Sequence, residues 1–354
     1  FVIFGQGVIL GNAEQEFLEF IEKSGIPCAW TIMGMSAIPT NHPLAVGMLG
    51  MHGNYAPNLF TNECDVLIAI GMRFDDRVTG RLDKYAKQAQ IIHLDIDPAE
   101  IDKNVQVTVP VWGNCKETLP LLTERVQQKS HHEWISKFHK AIEIESEKLI
   151  TPELFPQNGE ITMGEVIQLI NELTNGEAVM VTDVGQHQMV TCRYSHQNKT
   201  RSNITSGGLG TMGFALPAAI GAKYGAPERT VIAVMGDGGA QMNIQELGTI
   251  MQFKANVKIV ILNNNFLGMV RQWQELFHEK RYSFTDIQSP NFVTLASAYN
   301  IAGKQISKRD ELKSSLKEML DHPASYLLEV AVLHEDNVFP MVPQGCSVSE
   351  IRLK

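Results

Sequence analysis

The strongest constraint on the fold is a pair of apolar, β-branched runs of strand length, Val231-Ile-Ala-Val-Met-Gly and Val257-Lys-Ile-Val-Ile-Leu, separated by an amphipathic stretch from Asn243 to Ala255. Short runs of this kind, bounded by glycine and asparagine, read as strands buried on both faces, the condition found in parallel sheets. Asp237 and Asn264 end the two runs and lie 27 residues apart, a span that fits strand, turn, helix and the neighbouring parallel strand. Both side chains therefore fall at carboxyl ends of adjacent strands, where open α/β sheets bind ligands.

A carboxylate and a carboxamide oxygen form the hard oxygen set that Mg²⁺ prefers beside a diphosphate. Gly236, Gly238 and Gly239 let backbone N–H groups approach phosphate oxygens with no Cβ in the way. A Gly-Asp-Gly alone fits an ordinary strand-to-helix turn equally well; the Asn263-Asn264 pair after a second strand favours the ligand.

With 354 residues the chain suits two domains, and 44% hydrophobic with 19% charged residues describes a globular chain able to bury sizeable cores. A net charge of −9 without a basic block argues against a nucleic-acid partner. Cys28, Cys64, Cys115, Cys192 and Cys346 show no C-x-x-C spacing, so neither a disulfide framework nor a zinc site is indicated and a reducing setting, bacterial cytoplasm or alternatively an organelle, is expected. No apolar run reaches the roughly 18 to 20 residues that span a bilayer, so no membrane partner is expected. The chain opens on Phe1-Val-Ile-Phe, already strand-like and without an initiator Met, and reads as a piece of a longer protein.

Phe1-Val-Ile-Phe-Gly-Gln-Gly is a strand entering a glycine turn, with a helix pattern from Ala13 to Lys23 after it. Strand-like runs recur at Ile26-Pro-Cys-Ala-Trp, Asp65 to Gly71, Gln90 to Asp97 and Val107 to Val111, which implies a parallel sheet of about five strands. Two stretches here exceed what a scaffold needs. Leu49-Gly-Met-His-Gly suits packing against a flat ring, and Arg73-Phe-Asp-Asp-Arg-Val-Thr-Gly follows a strand with two guanidinium forks able to clamp a diphosphate, or else to form a surface ion-pair cluster with its own Asp residues.

Charged helical segments, Lys116 to Gln128 and Glu133 to Lys148, lead to the Pro- and Gly-punctuated Thr151 to Gly159; His131-His132 reads as a solvated helix face. The second half restarts with an amphipathic helix, Met163 to Thr174, and a strand ending in Gly185-Gln186-His187, where a backbone N–H, an amide and an imidazole can hold phosphate oxygens. Ser206-Gly-Gly-Leu-Gly-Thr-Met-Gly is a flexible turn before a small-residue helix, and Met269 and Trp273, at helical spacing, would ordinarily be core. The whole reads as two doubly wound α/β domains with mainly parallel sheets: 1–128, a helical linker at 129–160, and 161–354.

Gly236-Asp-Gly through Asn263-Asn resembles the thiamine-diphosphate signature of the pyruvate-oxidase and acetolactate-synthase group, and the Arg73 to Gly80 string resembles the FAD-binding middle domain of acetohydroxyacid synthases. The resemblance covers nearly the whole chain, as middle and C-terminal domains of a three-domain subunit. It implies Mg²⁺ held by Asp237, Asn264 and the carbonyl of Phe266, and a diphosphate contacted by Gly185, Gln186, His187, Gly210, Gly238 and Gly239. It implies that Met212 props the cofactor in its bent form, that Met269 lies against its aminopyrimidine, that Trp273 lines the substrate channel, and that Arg77 meets a substrate carboxylate. It assigns FAD, in a structural role, to Gly5, Gly7, Thr31, Leu49, Gly50, Met51, His52, Gly71, Arg73, Asp75, Asp95 and Ile96, with Ile32, Gly113 and Asn114 beside them. The implied reaction decarboxylates pyruvate and joins the two-carbon unit to a second 2-oxo acid, pyruvate or 2-oxobutanoate, in branched-chain amino acid biosynthesis. A homodimer or tetramer, a small regulatory subunit, and an essential Glu from an N-terminal domain are further implications, so that this piece alone is expected to be inactive. A pyruvate oxidase, a glyoxylate carboligase or a non-catalytic nucleotide-binding module are the alternative readings.

Overall fold

The computed structural model describes residues 1–354 as two α/β units, the first made of Phe1–Ile150, Gln197–Arg201 and Phe339–Lys354, the second of Thr151–His196 and Ser202–Val338.

The first unit carries β1 (Val2–Phe4), β2 (Cys28–Trp30), β3 (Ala45–Met48), β4 (Val66–Ile70), β5 (Gln90–Asp95) and β6 (Val109–Trp112) in the order β3-β2-β1-β4-β5-β6, every pairing parallel. That is the doubly wound dinucleotide-binding order, with its switch point between β1 and β4. The sheet has one strand more than the sequence pattern counts: β3 is short, and Gly47 at φ +111° breaks its apolar run. Central strands β1 and β4 are apolar and nearly all buried, as strands covered on both faces must be. Phe1, Phe60 and Phe138 stack beneath one face of the sheet, Phe138 at 5.1 Å from Phe1 and 4.6 Å from Phe60. The helix Glu14–Ser24 ends where Gly25 takes the left-handed conformation, φ +65°. The last residues of the chain belong to this unit: Val342 N donates to Met51 O at 2.8 Å, and Ser347 bridges Gly80.

The second unit carries β7 (Val179–Thr182), β8 (Asn203–Thr205), β9 (Val231–Gly236), β10 (Lys258–Asn263), β11 (Ala302–Ile306) and β12 (Tyr326–Ala331) in the order β11-β12-β10-β9-β7-β8, again all parallel. Chain order reverses between β7 and β9, so the switch point lies there. Register pairs Leu262 with Gly236, which sets the residues following β9 and β10 side by side at one edge. The helix Met163–Thr174 forms as its periodicity predicts, capped by Thr162 Oγ1 accepting from Glu165 N at 3.1 Å and closed by Asn175 at φ +52°. The crossover helix differs from expectation. It is two helices, Asp237–Met242 and Glu246–Phe253, because Asn243 leaves helical geometry to donate Nδ2 to Gly213 O at 2.7 Å. No helix of the chain is long and apolar enough to cross a membrane.

Candidate functional site

Three neighbouring strands, β7, β9 and β10, deliver the second unit's candidate residues to one sheet edge. Asp237, 1% exposed, opens its helix directly after β9. Its Oδ2 accepts from Ser289 Oγ at 3.1 Å, and burial pushes the carboxyl up to about 6. No salt bridge joins it to an Arg or Lys, so a buried acid faces the end of the sheet without a fixed cation of its own, the condition a bound metal relieves. Asn264, directly after β10, donates Nδ2 to Gln186 Oε1 at 3.2 Å, and its Oδ1 accepts from Phe266 N at 3.3 Å. Its own carbonyl is taken by His334 Nδ1 at 2.7 Å. Phe266 forms an isolated antiparallel bridge with Asp286 whose hydrogen bonds run through Asn265 O and Leu267 N, so the carbonyl of Phe266 faces the opposite side. The Phe266 ring is gripped by His334 at 4.2 Å and by the Arg271 guanidinium at 5.2 Å. A carboxylate, a carboxamide and a main-chain carbonyl at the ends of paired strands are the hard oxygen donors that suit Mg²⁺. No group of three His, Cys, Asp or Glu residues could hold a metal, and this set needs only one of them.

Gln186 and His187 begin the helix Gln186–Tyr194 that follows β7. Gln186 is fully engaged, donating Nε2 to Asp336 O at 2.6 Å and Gln272 Oε1 at 3.3 Å while accepting from Asn264. The His187 ring is 3% exposed, its Nδ1 edge wedged beneath Gly185 and Gly236, where a Cβ would come within 2.8 and 2.9 Å of Nδ1. Its Nε2 lies 2.5 Å from Asp183 Oδ1. A Cβ on Gly238 would meet Leu267 at 2.7 Å, Ile287 at 3.3 Å and the Met212 methyl at 3.7 Å, so Met212 reaches the turn that holds Asp237. Gly210 sits in the open loop before it at φ +63°; Met269 and Trp273, half-buried on the helix Gly268–Phe277, line the same segment as Phe266, with Trp273 at 4.9 Å from Phe277. Asp183 and Ser289 touch this constellation without a motif in the sequence to mark them, and Ser289 lies 52 positions from the Asp237 it contacts.

In the first unit, Gly5 and Gly7 follow β1 and Gly71 follows β4, on either side of the switch point. Gly5 N and Gly7 N donate to Ile70 O and Gly71 O at 3.0 and 2.8 Å, so their amides are spent on the neighbouring turn and their lack of Cβ serves the close approach of two backbones. Thr31, at the end of β2, accepts from Gly34 N; Leu49 and His52 are buried; Gly50, at φ +106°, exchanges two bonds with Asn58. Asp75 caps the turn Asp76–Thr79 and lies 3.5 Å from Arg73 Nε, while Arg77 stands 3.9 Å from Asp76 and 3.8 Å from Met51 Sδ, both guanidinium groups largely exposed. Asp95 is buried at the end of β5, and Ile96 beyond it projects into solvent. A cavity of about 150 Å³ lies beside this loop, lined by Met51, Arg77, Arg81, Val342, Pro343 and Val348.

Residues 1–122 match the family described as thiamine pyrophosphate enzyme, central domain, and residues 183–330 match thiamine pyrophosphate enzyme, C-terminal TPP binding domain. The chain is 40% identical to the acetolactate synthase isozyme 2 large subunit of Escherichia coli over 98% of its own length and 62% of that protein's. It is 41% identical to a probable acetolactate synthase large subunit of Methanocaldococcus jannaschii, over 99% of this chain and 60% of the relative, and 40% identical to the chloroplastic acetolactate synthase 2 of Nicotiana tabacum, over 96% and 53%. The chain spans about three fifths of the length of the bacterial and archaeal relatives.

Proposed function

We propose, from the premise that this chain belongs to the thiamine pyrophosphate enzyme family, that it supplies the central and cofactor-binding domains of an acetolactate synthase large subunit. The observation that carries the reading is the placement of Asp237 and Asn264 after paired strands β9 and β10, with the Phe266 carbonyl turned away from its bridge, inside the segment matched to the TPP-binding domain. Asp237, Asn264 and Phe266 would hold Mg²⁺ against the diphosphate, and Gly185, Gln186, His187, Gly238 and Gly239 would form the turns around it.

Thiamine diphosphate, when bound, supplies the carbanion chemistry by which pyruvate is decarboxylated and its two-carbon unit passed to a second 2-oxo acid. This chain's residues bind and orient. The buried Asp237 offers a charge whose desolvation the metal offsets, and Gln186 holds the Asn264 carboxamide in one orientation. The Met212 methyl, which a Cβ on Gly238 would meet at 3.7 Å, would pack against the cofactor. Arg77, exposed beside the cavity, would meet a 2-oxo acid carboxylate through a bidentate fork. In the first unit, Arg73, Asp75, Asp95 and Ile96 gather at carboxyl ends of β4 and β5 and are the groups on which FAD binding rests, since the Gly5 and Gly7 amides are committed elsewhere. The relatives' designation as large subunits supports a small regulatory partner, and a homodimer or tetramer is proposed with it.

The test is acetolactate formation from pyruvate, with and without 2-oxobutanoate, in the presence of thiamine diphosphate, Mg²⁺ and FAD, using the gene product from which this chain comes. Acetolactate and its ethyl-bearing homologue are the expected products. Oxidation of pyruvate with flavin turnover, or condensation of glyoxylate alone, would replace this reading with that of another member of the family.

A further inference from the structure

Asp183 follows β7 and is fully buried. A carboxylate in that position is costly to desolvate unless its oxygens are used, and here both are. Oδ1 lies 2.5 Å from His187 Nε2, and Oδ2 accepts from Gly213 N at 2.9 Å. Oδ2 also presses against Gly239 so closely that a Cβ there would collide with it. The imidazole it holds has its other edge beneath Gly185 and Gly236. One side chain thus touches, directly or through His187, the turn after β7, the turn after β9 and the loop carrying Met212. These are the three backbone segments that the proposed reading wraps around a diphosphate.

A buried anion is a poor neighbour for a diphosphate. Had Asp183 only an electrostatic effect, removing its charge would tighten the site. Its bonding suggests the opposite. A carboxylate oxygen accepts only, so the proton between Asp183 and His187 belongs to Nε2 when the acid is ionised; this fixes the ring's orientation and its contact with both glycine turns. We propose that Asp183 is the positioning residue of the diphosphate cradle, acting through His187 and Gly213 to hold the turns at Gly185, Gly236 and Gly239 in register for one magnesium-bound diphosphate group. The inference rests on the reading of this edge as a thiamine diphosphate site and adds a residue to it.

The test is calorimetric titration of the whole gene product from which this chain comes with thiamine diphosphate and, separately, inorganic pyrophosphate, both with saturating Mg²⁺, for wild type, Asp183→Asn, His187→Leu and the double variant. Asp183→Asn and His187→Leu are each expected to weaken both probes by about 10-fold or more, and the double variant by little more than the worse single one, because the two act as one unit. His187→Gln, which keeps an N–H for Asp183, is expected to restore much of what His187→Leu loses, and it serves the same purpose should Asp183→Asn fail to fold. Asp183→Asn binding as tightly as wild type or tighter, or losses that multiply in the double variant, would overturn the inference while leaving the thiamine diphosphate reading intact. A wild-type chain that binds neither probe would overturn both.

Discussion

Asn264 donates its side-chain amide to Gln186 Oε1 at 3.2 Å, and Gln186 in turn donates to the Asp336 carbonyl at 2.6 Å. The series fixes which end of the Asn264 carboxamide is nitrogen, and so turns Oδ1 to the remaining direction. Partners of this kind orient metal ligands and are typically worth about 10- to 100-fold in affinity. Gln186→Leu is therefore expected to weaken Mg²⁺ binding in the presence of thiamine diphosphate by at least about 10-fold, read as the Mg²⁺ concentration at half-saturation. An unchanged half-saturation would show that Asn264 is oriented by something else.

Glu153 is a half-buried acid in the second unit. Its Oε1 accepts from Gly164 N at 2.8 Å, and burial, helped by the nearby Asp336, pushes its carboxyl up to about 8. A group whose folded value lies above its unfolded one keeps a proton in the native state that the unfolded chain releases. Its contribution to stability is complete below about pH 4.5 and is lost as pH rises toward 8. Glu153→Gln keeps the acceptor for Gly164 and is expected to flatten the fall in Tm between pH 5 and about 8. A Tm profile parallel to wild type would contradict the assignment.

Close packing makes two glycines irreplaceable for different reasons. A Cβ on Gly239 would strike Asp183 Oδ2, and one on Gly268 would strike Gln186 Oε1. Overpacking of a rigid polar contact costs typically 1–3 kcal/mol. Gly239→Ala and Gly268→Ala should each lower Tm by several degrees, whereas Gly208→Ala, where a Cβ meets nothing within 4 Å, should leave it unchanged. Equal effects at all three positions would show that backbone freedom, not these contacts, selects glycine.

Arg77 is exposed and makes only long contacts, 3.9 Å to Asp76 and 3.8 Å to Met51 Sδ, so little stability depends on it. In the proposed reaction Arg77→Ala should raise KM for the 2-oxo acid about 10-fold or more with Tm unchanged, and Arg77→Lys should recover only part, lacking the planar fork. A KM that does not move would remove Arg77 from the substrate site.

Much of this was legible in the residues. Spacing alone put Asp237 and Asn264 at adjacent strand ends, because the apolar runs before them are long, β-branched and buried on both faces. Strands β3, β8 and β11 carry no clear strand pattern, for the converse reason: β3 carries Gly47, β8 is three residues, Asn203–Thr205, two of them polar, and β11, Ala302–Ile306, is a mostly unburied run with Gly303 and Lys304. The Gly5-Gln-Gly turn shows the limit of a motif, since the same spelling serves a phosphate or the packing of two turns, and the Gly5 and Gly7 amides bond to the turn after β4. Asp183 left no mark because its importance lies in contacts with His187, Gly213 and Gly239, up to 56 positions away, which only the folded sheet brings together. Likewise, residues 339–354 follow the second sheet in sequence yet pack with the first unit, through bonds such as Val342 N to Met51 O that no local pattern announces.

In the proposed function, one grip is central: Asp237 and Asn264 would hold magnesium against a diphosphate. Its most direct test is titration of thiamine diphosphate into wild type and Asp237→Asn across a series of Mg²⁺ concentrations. Saturable binding that requires Mg²⁺ in wild type, abolished by chelation and weakened at least about 100-fold in Asp237→Asn, is the predicted result. Binding of equal strength in both proteins, or binding indifferent to Mg²⁺, would contradict it.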